Sequence, residues 1–293
     1  MIPQTIRFES EGTQCEGDVY LPSDQDAPVI VLAQGLGATR EILLPEFAEA
    51  FVHAGFGVLT FDYRGFGGSD GPAGRIDPFW HVSDWCSAVD TVASIDGVDA
   101  NRIGLWGASF SGGHVLETAA RREVSAVSAL APFVSGPATF RHVLAQSGLG
   151  HLFRSTVHGV RDFARQVLRW SPHTIPIVGE PGELALVNTP GAKAGYLSTI
   201  DDGVDWTNEC HANVVLQIPW YRPLGRATAV KAPVQIMIAD RDRIVPPSAV
   251  ETLADRLPTA EVLHFDTSHF ELYDEQTMGS VIEAQIEFFE RQL

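Results

Sequence analysis

Gly107-Ala108-Ser109-Phe110-Ser111-Gly112-Gly113 follows directly on the strand-like run Arg102-Ile103-Gly104-Leu105-Trp106. Small residues two before and two after a serine let a chain turn sharply from strand into helix and leave the hydroxyl exposed at the top of a sheet. A serine hydroxyl is a weak nucleophile near neutral pH, so the reading requires a base and a carboxylate elsewhere. Both occur downstream. Asp242 lies in Ala239-Asp240-Arg241-Asp242-Arg243-Ile244-Val245-Pro246, and His269 in Asp266-Thr267-Ser268-His269-Phe270.

Each of the three has a competitor. Ser111 also sits in a small-x-Ser-x-small run, but Gly107 follows the strand immediately, which favours Ser109 and leaves Ser111 to open the next helix and cap it. His264 stands among Val262, Leu263 and Phe265 in a strand pattern and reads as a core or face residue. His269 falls in a loop, where a mobile, exposed imidazole is expected. Asp240 competes with Asp242 for the carboxylate and reads as the end of a strand.

Working outward, apolar runs alternate with helical periods, the mark of βαβ units and a mainly parallel sheet. Pro28 to Ala33 and Gly57 to Asp62 read as buried strands, with a helix carrying Leu43, Phe47, Ala48, Phe51 and Val52 between them. Val82, Trp85, Val89 and Val92 recur at steps of three and four, as one face of a helix would. Thr5 to Glu9 and Gln14 to Leu21 read as a leading antiparallel hairpin, and Ala126 to Leu130 as a strand after the elbow. The alternation stops at about Phe133 and resumes at Pro233 to Ile238, followed by Glu261 to Phe265 and a closing helix with Ile282, Ile286 and Phe289 on one face. The expected architecture is therefore α/β: a core in two parts, 1–132 and 229–293, with a mostly helical cap, 133–228, inserted after the sixth strand. The cap's aromatics, Phe133, Phe140, Phe153, Phe163, Trp170, Tyr196, Trp206, Trp220 and Tyr221, are expected mainly to hold it to the core. Arg154, Arg161, Arg165 and Arg169 are expected on a solvated helix face.

Four motifs in order, Gln34-Gly35-Leu36-Gly37, Asp62 to Ser69, the serine elbow and the late Asp and His, make the chain resemble the α/β-hydrolases, whose triad runs Ser, Asp, His. More narrowly, Asp62 to Gly71 and Trp106 to His114 resemble dienelactone-hydrolase-like and peptidase-S15-like serine hydrolases, and related polyketide hydrolases and acyltransferases. The resemblance implies Ser109 as nucleophile, His269 as base and Asp242 as its carboxylate, the last in an Asp-x-x-Val-Pro loop. It further implies an oxyanion hole from the backbone N–H groups of Phe110 and Leu36, where one donor is worth about 3 kcal/mol in the transition state. Gln34 stands where the family often has His, and Ser111 where the elbow usually has Gly. The implied activity is cleavage of a carboxylic ester, lactone or thioester through an acyl-enzyme. Acyl transfer or thioester cleavage in polyketide-type metabolism is the alternative, ahead of a peptidase or a binding protein.

Composition bounds the rest. Hydrophobic residues make up 45% of the 293, and the net charge is −17 with only 20 Lys plus Arg. Such acidity argues against a nucleic-acid partner. Three spaced cysteines suggest neither a disulfide framework nor zinc, and Gly67-Gly68 carries neither the Rossmann fingerprint nor a P-loop lysine. The expectation is no metal and no cofactor, a small acyl substrate of apolar or aromatic character, and a cytoplasmic monomer or homodimer without membrane insertion. Asp62 and Arg64 read as a structural ion pair, and His114 as packing.

Overall fold

The computed structural model describes residues 2–22 and 26–293. An eight-stranded sheet is built from β1 (Gln4–Ser10), β2 (Thr13–Tyr20), β3 (Ala27–Ala33), β4 (Gly57–Phe61), β5 (Val98–Ala108), β6 (Ala126–Leu130), β9 (Val234–Ala239) and β10 (Ala260–Phe265), in the spatial order β1-β2-β4-β3-β5-β6-β9-β10. The β1–β2 hairpin and the β2–β4 pair are antiparallel; every later pair is parallel. The central parallel strands are mostly apolar because helices cover both faces, with Ser128 on β6 and Gln235 on β9 hydrogen-bonded to each other within the sheet. One layer holds α1 (Leu44–His53) and α8 (Glu275–Gln292) against Trp106, where Phe47 lies 4.6 Å from the indole. The other holds α2 (Pro78–Val92) and α3 (Phe110–Ala119). On α2 the expected face, Val82, Trp85, Val89 and Val92, is the buried one. On α8 the buried residues are Val281, Gln285, Phe288 and Phe289, with Ile282 and Ile286 half-buried beside them.

Between β6 and β9 the chain leaves the sheet. It forms α4 (Gly136–Val167), a two-strand ladder of β7 (Thr174–Ile175) and β8 (Cys210–His211), α5 (Ala192–Leu197), α6 (Val214–Gln217) and two 3-10 turns. Helix α4 is broken at Gly148, whose φ of 75° and ψ of 173° lie in a region that is essentially glycine's alone. Beyond the break, the inward face is small and polar: His151, Ser155, Gly159 and Asp162. The Asp162 carboxylate accepts from the backbone N–H groups of His173 and Asn213, at 2.7 and 3.0 Å. A methyl group added at Gly159 would lie 2.5 Å from Val215.

The expectation that the aromatics of this region hold it to the core therefore applies to only part of the set. Phe133, Tyr196 and Tyr221 are buried, but Phe153, Phe163, Trp170 and Trp220 are more than half exposed, as are Val160, Val167 and Leu168. On α4 the anchoring falls to a buried carboxylate and a close glycine contact. The apolar stripe is left outside, beside the arginines.

Asp62 and Arg64 do not pair with each other. Asp62 binds the Arg40 guanidinium and backbone N–H, and Arg64 binds Asp84 at 2.6 Å, all four acidic or basic heads being largely buried. Under the elbow, the His81 ring on α2 stacks on Tyr63 at 4.0 Å, and among the described residues neither ring nitrogen has a hydrogen-bond partner. Burial, reinforced by the Arg64 charge, drives its pKa from 6.5 down to about 3. The unfolded chain takes up this proton near pH 6.5 and the folded chain only near 3, so the stability held by neutral His81 is complete above 6.5 and lost progressively below it. His81→Phe keeps the stack and removes the titration. Its urea midpoint should fall less steeply than the wild type's between about pH 6.5 and 4; identical slopes would assign the acid sensitivity to other groups.

Candidate active site

Ser109 occupies the single residue between β5 and α3, with φ 55° and ψ −116°. That backbone is unusual for a residue with a side chain and persists only where neighbours impose it. Here the Ser109 N–H donates to the Leu130 carbonyl at 2.8 Å, and the Phe133 N–H donates to the Ser109 carbonyl at 2.7 Å. The surrounding small residues are required by contact. A Cβ at Gly107 would lie 2.6 Å from the Ser111 carbonyl oxygen, and one at Gly113 2.2 Å from that of Phe133.

The turn aims the hydroxyl at an imidazole. His269 Nε2 lies 3.0 Å from Ser109 Oγ, and His269 Nδ1 lies 2.6 Å from Asp242 Oδ2. The other Asp242 oxygen accepts from the N–H groups of Ile244 and Val245 at 2.7 and 2.9 Å, which leaves one oxygen for the ring. The expected exposed, mobile imidazole is not what forms. His269 is only 4% exposed, its ring edge-on to Phe270, because the loop after β10 folds in under that phenylalanine. Asp240 and His264 form a separate pair, Oδ1 to Nδ1 at 2.7 Å, with both side chains partly exposed. Ser111 is buried inside the first turn of α3. It accepts a hydrogen bond from the Tyr63 hydroxyl at 3.1 Å instead of capping the helix, and that hydroxyl accepts from Trp85 Nε1 at 2.9 Å. His114 is fully buried, with Nδ1 2.6 Å from the Tyr221 hydroxyl.

The loop after β3 runs over the elbow. A Cβ at Gly35 would stand 3.1 Å from the Ala108 carbonyl oxygen and 3.4 Å from the Ser109 Cβ. Gln34 braces this loop from within: its Oε1 accepts from the Gly35 N–H at 2.7 Å, and its Nε2 donates to the Ile42 carbonyl at 2.6 Å. Tyr196 and Trp206 hold it from above, donating to the carbonyls of Leu36 and Gly37 at 2.8 and 2.9 Å. Among the described residues, the N–H groups of Leu36 and Phe110 have no protein acceptor. The two clamps lie about 160 residues along the chain from the loop they hold, so no local spacing marks them.

Two narrow apolar clefts meet at Ser109. One, of about 50 Å³, is bounded by Ile42, Leu43, Tyr196, Phe270 and Tyr273, with His269 on its wall. The other, of about 80 Å³, is bounded by Phe133, Val143, Ile218 and Val245, with Phe110 on its wall. Leu36, Val187 and Ile244 line both.

Residues 11–163, just over half of the chain, match the family described as X-Pro dipeptidyl-peptidase (S15 family). The chain belongs to the S15 family. Among its relatives is the quorum-quenching protein AidA of Acinetobacter baumannii (strain MDR-ZJ06), 35% identical over 99% of this chain and 95% of that protein. The thiohydrolase aneE of Aspergillus aculeatus is 27% identical over 95% of this chain and 89% of its own length. The crystal structure of the α/β hydrolase GrgF from Penicillium sp. sh18 superposes with a TM-score of 0.81 over 100% of this chain and 99% of that one, at 21% identity. The S15 chain described here is thus a hydrolase of the α/β-hydrolase fold, as its first resemblance implied. No helix among the described residues is long and apolar enough to cross a membrane.

The geometry separates the two aspartates by what they touch. Asp242→Asn should lower kcat at least about 100-fold by upsetting the imidazole tautomer, while Asp240→Asn should change it less than about threefold. Steady-state ester kinetics of both variants checks the order, and the reverse order would move the carboxylate to Asp240.

Proposed function

We propose that this S15-family protein cleaves a small carboxylic ester, lactone or thioester through an acyl-enzyme on Ser109. The observation that carries the reading is the unbroken chain of contacts Ser109–His269–Asp242, at 3.0 and 2.6 Å, at the junction of two apolar clefts. His269 Nε2 takes the Ser109 proton as Oγ attacks the carbonyl carbon, and later gives it to the leaving group. Asp242 holds Nδ1–H and stabilises the imidazolium. The negative charge that gathers on the carbonyl oxygen is met by the N–H groups of Phe110 and Leu36, already oriented by the helix start and by the Gln34, Tyr196 and Trp206 braces. Water then attacks the acyl-enzyme with His269 as base, which restores Ser109.

Residues 133–228 act as the cap, and the lining they share with the core suits an apolar or aromatic acyl group. The names of the relatives, a quorum-quenching protein and a thiohydrolase, favour ester-like bonds over the peptide bond in the family's description. The narrowness of both clefts also supports a second reading, in which an alcohol, amine or thiol displaces water as acceptor. Buried, unpaired Cys15, Cys86 and Cys210 are in keeping with a cytoplasmic site of action, as a monomer or homodimer.

A fluorophosphonate should add once per chain, on Ser109, by intact mass and peptide mapping. Ser109→Ala should abolish the adduct and lower kcat for p-nitrophenyl esters and acyl thioesters by about 10⁴-fold or more without unfolding the protein. An adduct lost instead in Ser111→Ala and retained in Ser109→Ala would overturn the assignment.

A further inference from the structure

The two clefts at Ser109 are not equivalent. His269, which must reach the departing atom to protonate it, lines only the cleft of Ile42, Tyr196 and Tyr273. The leaving group therefore belongs on that side, and the acyl chain in the cleft beneath Phe133, Val143 and Ile218. Asn188, Thr189 and Arg243 line this acyl cleft and also line a wide basin of about 550 Å³, whose other walls include Gln146, Ser147 and His151. The cleft at Ser109 is thus apolar along most of its wall and polar at the collar it shares with the basin.

Two groups at that collar lack partners. Thr189 is 7% exposed, and its hydroxyl has no hydrogen-bond partner among the described residues. The buried hydroxyl costs free energy until something bonds to it. Arg243 holds the carbonyl side of its backbone rigidly, accepting from His142 and Gln146 at 2.9 and 3.1 Å. Arg243 is an exposed residue, and its guanidinium has no carboxylate within ion-pair reach among the described residues, which leaves it free to meet an anion at the collar. Asn188, by contrast, is already committed: its amide donates to the Glu183 carbonyl at 2.9 Å, and its oxygen accepts from Ser147 at 3.2 Å.

The geometry points to an acyl chain that ends in a carboxylate, with Arg243 and Thr189 as the residues that read it. The carboxylate would take a charge-assisted bond from the guanidinium and one from the Thr189 hydroxyl, while the chain's methylenes fill the apolar cleft. This inference rests on the acyl-enzyme reading of Ser109 and adds the class of acyl group to it. The overall charge of −17 opposes anionic substrates at long range, so a preference for one can arise only from a local cation.

The test compares p-nitrophenyl monoesters of straight-chain dicarboxylic acids with chain-matched esters ending in methyl, and with a third set ending in a neutral methyl ester. At the chain length that spans the cleft, the carboxylate-ended ester should show kcat/KM at least about tenfold above its methyl-ended match. Arg243→Gln should erase most of that ratio, Arg243→Lys should retain part of it, and Thr189→Val should reduce it. An equal preference for the neutral methyl ester, a ratio near one in the wild type, or a ratio unmoved by Arg243→Gln would overturn the inference. If methyl-ended esters turn over and Ser109 labels while the ratio stays near one, the hydrolase reading stands and this inference alone falls. If no ester turns over and Ser109 does not label, both fall together.

Discussion

Two backbone hydrogen bonds, from Ser109 N–H to the Leu130 carbonyl and from Phe133 N–H to the Ser109 carbonyl, hold one residue in a conformation that costs about 1–3 kcal/mol. His269, Asp242 and both apolar clefts are arranged around that residue. The bonds tie the end of β5 to the chain leaving β6, so the elbow cannot relax without loosening two central strands. The absence of side chains at Gly35, Gly107 and Gly113 lets the neighbouring backbones close in on all sides. The strain is thus borne by the sheet, and the hydroxyl stays aimed at His269 before any substrate arrives.

Charge plays a parallel part behind the elbow. Arg40 binds Glu16, Asp18 and Asp62, and Arg64 binds Asp84 and Ser10. Buried ions of this kind contribute little net stability, but each is costly to leave alone, so the set fixes which loops lie next to which. The Asp62 to Gly71 loop is held in this way against the first hairpin, and it carries Tyr63 into the layer beneath α3. Tyr63 then bonds Ser111, one residue past Phe110, whose amide is proposed for the oxyanion hole. The departure of this elbow from the usual glycine is absorbed by that bond.

The fold was legible because its signals are local. Strand runs, the α2 face and the elbow glycines each depend on residues within one turn or one strand of each other. Order and the Asp-x-x-Val-Pro resemblance picked out Ser109, Asp242 and His269, which the fold brings into contact. What stayed hidden depends on contacts distant in sequence. Nothing near Leu36 announces that Tyr196 and Trp206 will hold its loop, and nothing near His269 announces that its ring will be buried against Ser109 and Asp242. Helix α4 departs from the expectation for its aromatics for a different reason: Phe153 and Phe163 lie on its exposed side, not on its inward face. Here Gly159 and Asp162 take that face, because a bare backbone and a carboxylate bonded to two N–H groups fit the space against α6 and the β7–β8 ladder.

The break at Gly148 divides α4 into two pieces with different surroundings. The first, with Thr139 and Val143, forms part of the wall over Ser109; the second is the rod whose apolar stripe faces outward. A continuous helix would couple them, since turning one end to fit a new substrate would swing the other through the same angle. With a glycine between them the two can drift apart over evolutionary time. Wall residues before the break can then be exchanged for a longer or bulkier acyl group while the rod beyond it keeps its seat.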